Sequence, residues 1–159
     1  MEPRRGEMDR MHAQSPLDRP TRVAIIDDTE DLRFLLRLIL TRNGMEVVGE
    51  AGDGYAGLEL VRETRPDVVM LDLSMPVMDG RTALPLILRA VPRARVVVLT
   101  GFGSDELADE LIEMGAVGYI QKGTTLLRIA QFVQDIARDV VPTSHRSEAV
   151  LRLVPDLAS

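Results

Sequence analysis

The chain has 159 residues, with 19 basic and 25 acidic side chains, a formal charge of −6 and no cysteine. One domain with tails is the expectation at this length, and 45% hydrophobic residues are enough for a real core. The missing cysteines exclude disulfides, thiolate metal centres and a cysteine nucleophile; the acid excess, with three Phe, two Tyr and no Trp, argues against a nucleic-acid surface.

Residues 1–20 mix both charge signs with prolines and carry no sustained apolar period, which predicts a disordered leader. They lack the apolar core of a signal peptide, and no apolar run is long enough to cross a bilayer, so cytoplasmic residence without a membrane partner is expected. From residue 21 the pattern changes to β-branched runs alternating with amphipathic segments. The span 22–140 holds 13 basic and 19 acidic residues, so it carries the whole net charge.

The first run, Val23–Ile26, ends in Asp27-Asp28, and Leu32, Leu35, Leu36, Ile39 and Leu40 then repeat at helical spacing up to a C-capping Gly44. Glu46–Glu50 is the second strand, with Asp53 soon after it, standing apart. The third strand, Val68–Leu71, ends in Asp72. Pro85 lies inside the following helical stretch, Thr82–Arg89, and is expected to kink it or delay its start. Val96–Leu99 ends in Thr100, Ser104 opens a helix that Gly115 closes, and Gly118–Gln121 ends in Lys122. Ile129, Phe132, Val133 and Ile136 mark the next helix. The apolar character of runs one, three and four suits interior strands of a parallel sheet covered on both faces. Strand–helix alternation repeated five times predicts a doubly wound α/β domain over 21–140, a five-stranded parallel sheet with five helices. Residues 141–159 are expected to be a C-terminal tail or the start of a linker, with a short amphipathic helix or a tail over 146–154. His12 and His145 fall in the two tails and make no metal pair.

In an open parallel sheet, function collects at the carboxyl ends of the strands. There the sequence places three carboxylates, a hydroxyl and the only lysine among 18 arginines. Carboxylates crowded in one pocket repel each other unless a cation is present, and an all-oxygen donor set suits a hard ion such as Mg²⁺. Such an ion, with a lysine and a hydroxyl, makes a site for phosphoryl oxygens, with a carboxylate as acceptor.

The motifs V-A-I-I-D-D, V-V-M-L-D-L-S-M-P-V-M-D-G, V-V-V-L-T-G and G-A-V-G-Y-I-Q-K, in this order, resemble the receiver domain of two-component response regulators. The resemblance implies a flavodoxin-like strand order 2-1-3-4-5 and a phosphoprotein whose Asp72 takes a phosphoryl group from a sensor histidine kinase. It further implies Mg²⁺ bound directly by Asp28 and Asp72, through water by Asp27, and by the backbone carbonyl of Ser74. Thr100 and Lys122 would each meet a phosphoryl oxygen, and Tyr119 would turn inward as Thr100 moves, with Gly101 leaving room. Gly123 follows the lysine where many receivers have proline. Together with the G-E-A-G-D stretch, this resembles the NarL/FixJ branch.

Three functions follow. The first is a stand-alone receiver, not an enzyme acting on an outside substrate, that signals to a protein partner or a second copy through the face of helix four, strand five and helix five. The second is the receiver part of a DNA-binding transcriptional regulator, because residues 142–154 resemble the opening helix of that branch's DNA-binding domain; without a recognition helix this stretch would not bind DNA by itself. The last is a haloacid-dehalogenase-type phosphatase, which requires an Asp where Thr29 stands. Phe102 and Ser74, each two residues past a site residue, border the path of a water that would attack the aspartyl phosphate, and bulky Phe102 is expected to slow hydrolysis.

Overall fold

The computed structural model describes residues 19–138 and the backbone of 151–153; His12, His145 and all but the last two residues of the leader expected over 1–20 lie outside the described residues, as do 139–150 and 154–159. Strands and helices alternate: β1 (Arg22–Ile26), α1 (Glu30–Arg42), β2 (Glu46–Ala51), α2 (Gly54–Thr64), β3 (Val68–Asp72), α3 (Gly80–Ala90), β4 (Arg95–Thr100), α4 (Asp105–Glu113), β5 (Gly118–Gln121), α5 (Leu126–Ala137) and β6 (Leu151–Leu153). All strand pairings are parallel, in the order β2-β1-β3-β4-β5-β6. The first five strands have the expected 2-1-3-4-5 order, and the β1–β2 register slips between Val23 and Ala24.

The strand sequences are apolar at consecutive positions because the sheet is buried on both sides. Side chains alternate between two cores. Ala24, Ile26, Val69, Leu71, Val96, Val98 and Tyr119 pack with Leu58, Val61, Leu84, Ile87 and Leu111, from α2, α3 and α4. Val23, Ile25, Val68, Met70, Val97, Leu99 and Ile120 pack on the other face with Leu36, Leu40, Ile129, Val133 and Ile136, from α1 and α5. Each fully buried Leu or Ile contributes about 1.5–3 kcal/mol, so truncating central Leu84 or Ile87 to Ala would open a cavity costing about 2–5 kcal/mol.

Local signals set the helix ends. The side chains of Asp53, Asp79 and Ser104 accept the backbone N–H groups of Ala56, Thr82 and Leu107 at 2.8, 2.8 and 3.1 Å, capping α2, α3 and α4. Asp53 is therefore a helix cap. Gly44 and Gly115, with φ of 81° and 101°, follow α1 and α4 in a left-handed conformation that glycine adopts without strain. Pro85 does not delay α3: the Asp79 cap starts the helix at Gly80, ahead of the proline.

The C-terminal segment departs from the expected tail or short helix. The backbone of Leu151–Leu153 pairs as a sixth strand with β5, Tyr119 opposite Arg152. Three residues are too few for periodicity to separate strand from helix, and the edge that receives them lies more than thirty positions earlier in the chain.

Candidate functional site

The ladder carries past the strand ends and fixes the site. The Asp27 N–H donates to the Ala51 carbonyl at 3.0 Å, that of Leu73 to Leu99 at 3.1 Å, and that of Lys122 to Thr100 at 2.8 Å. Arg33, on α1, donates to the Asp27 carbonyl at 2.6 Å and to the Glu50 carboxylate at 3.3 Å, so α1 and β2 brace the first acidic residue from behind. Arg37 makes a second ion pair with Glu50.

Asp27 and Asp72 are buried, at 0% and 2% exposure, whereas Asp28 is exposed. The three carboxyl groups offer oxygens within 4.8 Å of one another. Asp27 Oδ1 accepts the Thr29 N–H at 2.8 Å, and Asp72 Oδ1 accepts the Ser74 N–H at 3.2 Å. Their other oxygens face Lys122, whose Nζ lies 3.0 Å from Asp27 Oδ2 and 3.2 Å from Asp72 Oδ2. Among the described residues no donor other than that ammonium reaches either oxygen. Such buried oxygens with spare acceptor capacity fit a hard cation.

The electrostatics record the crowding. Burial, and next the negative charge of Asp27, push the Asp72 carboxyl up to about 6, against the opposing pull of Lys122 and the Ser74 N–H. Burial disfavours the Lys122 ammonium, but the hydrogen bond and charge of Asp27, reinforced by Asp72, outweigh it and raise its pKa. Asp28, Asp72, Ser74, Thr100, Phe102 and Lys122 all line one open cleft of about 720 Å³.

Thr100 closes the far wall. Its hydroxyl donates to the Phe102 carbonyl at 2.6 Å and accepts the Phe102 N–H at 3.2 Å, so it is turned into its own loop. The Phe102 side chain is 90% exposed at the rim. Tyr119 is fully buried, and its ring runs beside the backbone of that loop: a Cβ on Gly103 would lie 3.1 Å from Tyr119 Cε2.

Asp28, Asp72, Ser74, Thr100 and Lys122 therefore reach this cleft, whereas Asp27, Tyr119 and the outlying Asp53 do not. Asp27 lies beneath it, joined through Lys122, and Tyr119 lies behind its Thr100 wall. The sequence profile of the response regulator receiver domain matches residues 23–134. The chain belongs to that family.

This receiver is 36% identical over 134 residues to YxjL of Bacillus subtilis, an uncharacterized transcriptional regulatory protein; the alignment covers 84% of this chain and 58% of that protein. It is 33% identical over 117 residues to the chemotaxis protein CheY of Thermotoga maritima, covering 74% of this chain and 98% of that one. A chain of the CheX–CheY–BeF3–Mg²⁺ complex from Borrelia burgdorferi superposes with a TM-score of 0.72 at 28% identity, covering 76% of this chain and 92% of that one.

The cleft is also lined by residues that strand-end reasoning passed over. Asp79 and Arg81 line the cleft from the start of α3. The M-D-G triplet was visible as a motif, and a capping Asp followed by Gly before an apolar period is the signal that could have placed it. Arg33 had no such signal, since its contact with Asp27 depends on how α1 settles on the sheet.

Proposed function

We propose that Asp72 is the phosphoacceptor of this receiver, taking a phosphoryl group from a phosphohistidine of a sensor kinase in the cytoplasm. The observation that carries this reading is the joint placement of Asp27, Asp28 and Asp72, with oxygens within 4.8 Å, around the Lys122 ammonium on the floor of an open cleft. In the step, an oxygen of Asp72 forms the new bond to phosphorus, the bond from phosphorus to the histidine nitrogen breaks, and that nitrogen keeps the electron pair and takes a proton.

Asp28 and Asp72 would hold Mg²⁺ directly, Asp27 would hold it through water, and the Ser74 carbonyl would complete the protein ligands. When bound, the ion supplies neutralisation of the carboxylate and phosphoryl charge. The chain's own residues do the positioning. The Lys122 ammonium, already between Asp27 and Asp72, meets one phosphoryl oxygen. The Thr100 hydroxyl exchanges its bond to the Phe102 carbonyl for another phosphoryl oxygen. That exchange frees the loop beside Tyr119 and transmits the modification to the face of α4, β5 and α5, where a target protein or a second copy docks. Similarity to CheY, and to the CheX–CheY–BeF3–Mg²⁺ complex, supports this reading.

A second reading has the receiver control a transcriptional output, favoured by the match with YxjL, of which this chain spans 58%. The dehalogenase-type phosphatase gains no support, because Thr29 stands where its second Asp belongs.

The test is incubation with acetyl phosphate and Mg²⁺, followed by intact-mass analysis. One phosphoryl per chain, dependent on Mg²⁺ and lost in Asp72→Asn, is the expected result. Repeated turnover of a phosphomonoester, or labelling that persists in Asp72→Asn, would overturn it.

A further inference from the structure

The sixth strand lies on the element that the proposed function uses for output. β5 would be the edge of the sheet without it, and an open strand edge is a ready template for another chain. Here the edge is occupied from within: Gly118, Tyr119 and Ile120 pair in parallel with Leu151, Arg152 and Leu153. Because the pairing is parallel, α5 is the crossover between β5 and β6, and β6 packs against both.

We propose that β6 is a removable intramolecular cover of the β5 edge, which keeps partners off the α4–β5–α5 face until Asp72 is phosphorylated. The inference rests on the proposed reading of that face as the output surface. Three observations carry it. First, β6 spans three residues, at the short end for a strand, and among the described residues it pairs on one side only. Elements with so little pairing open at the low end of the local stability range.

Second, the residue opposite the middle of β6 is Tyr119, whose ring packs beside the backbone of Gly103. Third, that same loop is held by the Thr100 hydroxyl through the Phe102 carbonyl, within the cleft of Asp72. A phosphoryl group that draws the hydroxyl away releases the loop, changes the support of Tyr119 and so disturbs the strand that β6 is paired with. The cover and the phosphorylation site are two ends of one contiguous set of contacts.

Amide hydrogen exchange on the full chain tests this directly. In a parallel pairing, alternate N–H groups of β6 point toward β5. Arg152→Pro and the double variant Leu151→Pro/Leu153→Pro therefore remove the two possible sets, and one of them breaks the pairing. In that variant, the amides of Gly118–Gln121 that point toward β6 are expected to exchange at least about tenfold faster than in the unmodified chain, with β1 and β3 unchanged. Equal exchange in all three proteins would overturn the cover.

Beryllofluoride with Mg²⁺ tests the release. The expected result is faster exchange at both 118–121 and 151–153 in the unmodified chain, and no further change in the uncovered variant. Bound beryllofluoride, seen by fluorine NMR, with protection at β5 and β6 intact would make β6 a permanent strand and defeat the inference. Failure to bind beryllofluoride at all would instead count against the proposed function, and the proline comparison would then decide the cover alone.

Discussion

A Cβ on Gly80 would stand 2.1 Å from the carbonyl oxygen of Asp72. The start of α3 thus presses directly on the backbone of the proposed phosphoacceptor, and the Gly80 N–H donates to the neighbouring Leu73 carbonyl at 2.9 Å. Two effects compete in Gly80→Ala. Alanine is favoured over glycine within a helix by about 1 kcal/mol, but overpacking against a backbone that cannot rotate away costs about 3 kcal/mol. The clash wins. Gly80→Ala is expected to lower unfolding free energy in urea by about 2 kcal/mol net and to slow labelling of Asp72 by acetyl phosphate. Unchanged stability and labelling would show that α3 is not wedged against the site.

Asp72 should make the metal-free protein less stable as pH rises. Its carboxyl is raised from 3.8 to about 6 on folding, so the folded state holds a proton that the unfolded chain releases. With the folded value raised, its stabilising contribution is full below about pH 4, falls between pH 4 and 6, and is gone above that window. Asp72→Asn removes this loss and is expected to gain about 1–3 kcal/mol at pH 8. Denaturant titrations of both proteins at pH 4.5 and pH 8, in EDTA, measure it. A gain no larger at pH 8 than at pH 4.5 would contradict the assignment. Saturating Mg²⁺ should stabilise the unmodified protein and spare Asp72→Asn most of that effect.

Phe102 gives a prediction about lifetime. Its side chain stands 90% exposed on the cleft rim, so replacing it costs the core nothing and stability should move by less than about 0.5 kcal/mol. Phe102→Glu puts a group that can orient water beside the aspartyl phosphate, in place of one that cannot. The expected result is a half-life about tenfold shorter, less than the roughly 10²–10⁴-fold of fully positioned proton-transfer groups because an exposed rim side chain is not held in place. Decay of the phosphoprotein, followed by intact mass after removal of acetyl phosphate, reads it out. An equal or longer half-life would remove Phe102 from the hydrolysis path.

The parts of this receiver written in local pattern were legible in the sequence. Val23–Ile26, Val68–Leu71 and Val96–Leu99 are apolar at every position because both faces of the sheet are covered, and Asp27, Asp28, Asp72, Thr100 and Lys122 come directly after the apolar runs or after β5, at the carboxyl ends of the strands. What was not legible depends on distant parts of the chain. Asp53 stands apart from the strand-end acids in the sequence, and its role shows only in its capping bond to Ala56. Pro85 reads as a kink or a delayed start, but the Asp79 cap starts the helix at Gly80 and outweighs one missing helical hydrogen bond. The three residues of β6 became a strand only because β5 offered them an edge.

Lys122 is the sharpest place to separate phosphorylation from switching. It is the only lysine among 18 arginines, and its ammonium fits between two buried carboxylates at 3.0 and 3.2 Å. Arginine keeps the positive charge, so Lys122→Arg should still neutralise Asp27 and Asp72, and the fold should hold to within about 1 kcal/mol. A guanidinium differs in shape, being a planar fork that grips a carboxylate with two parallel bonds, where an ammonium turns on a flexible stem. Held by that fork, Asp27 and Asp72 would keep the charge that a phosphoryl oxygen must recruit. The expected outcome is an Asp72 phosphoprotein that forms with Mg²⁺ but leaves exchange at Gly118–Gln121 unaltered. If Lys122→Arg abolished labelling as well, the ammonium would be required for the chemical step. If it labelled and switched like the unmodified chain, any cation at this position would suffice, and the single lysine would carry no functional weight.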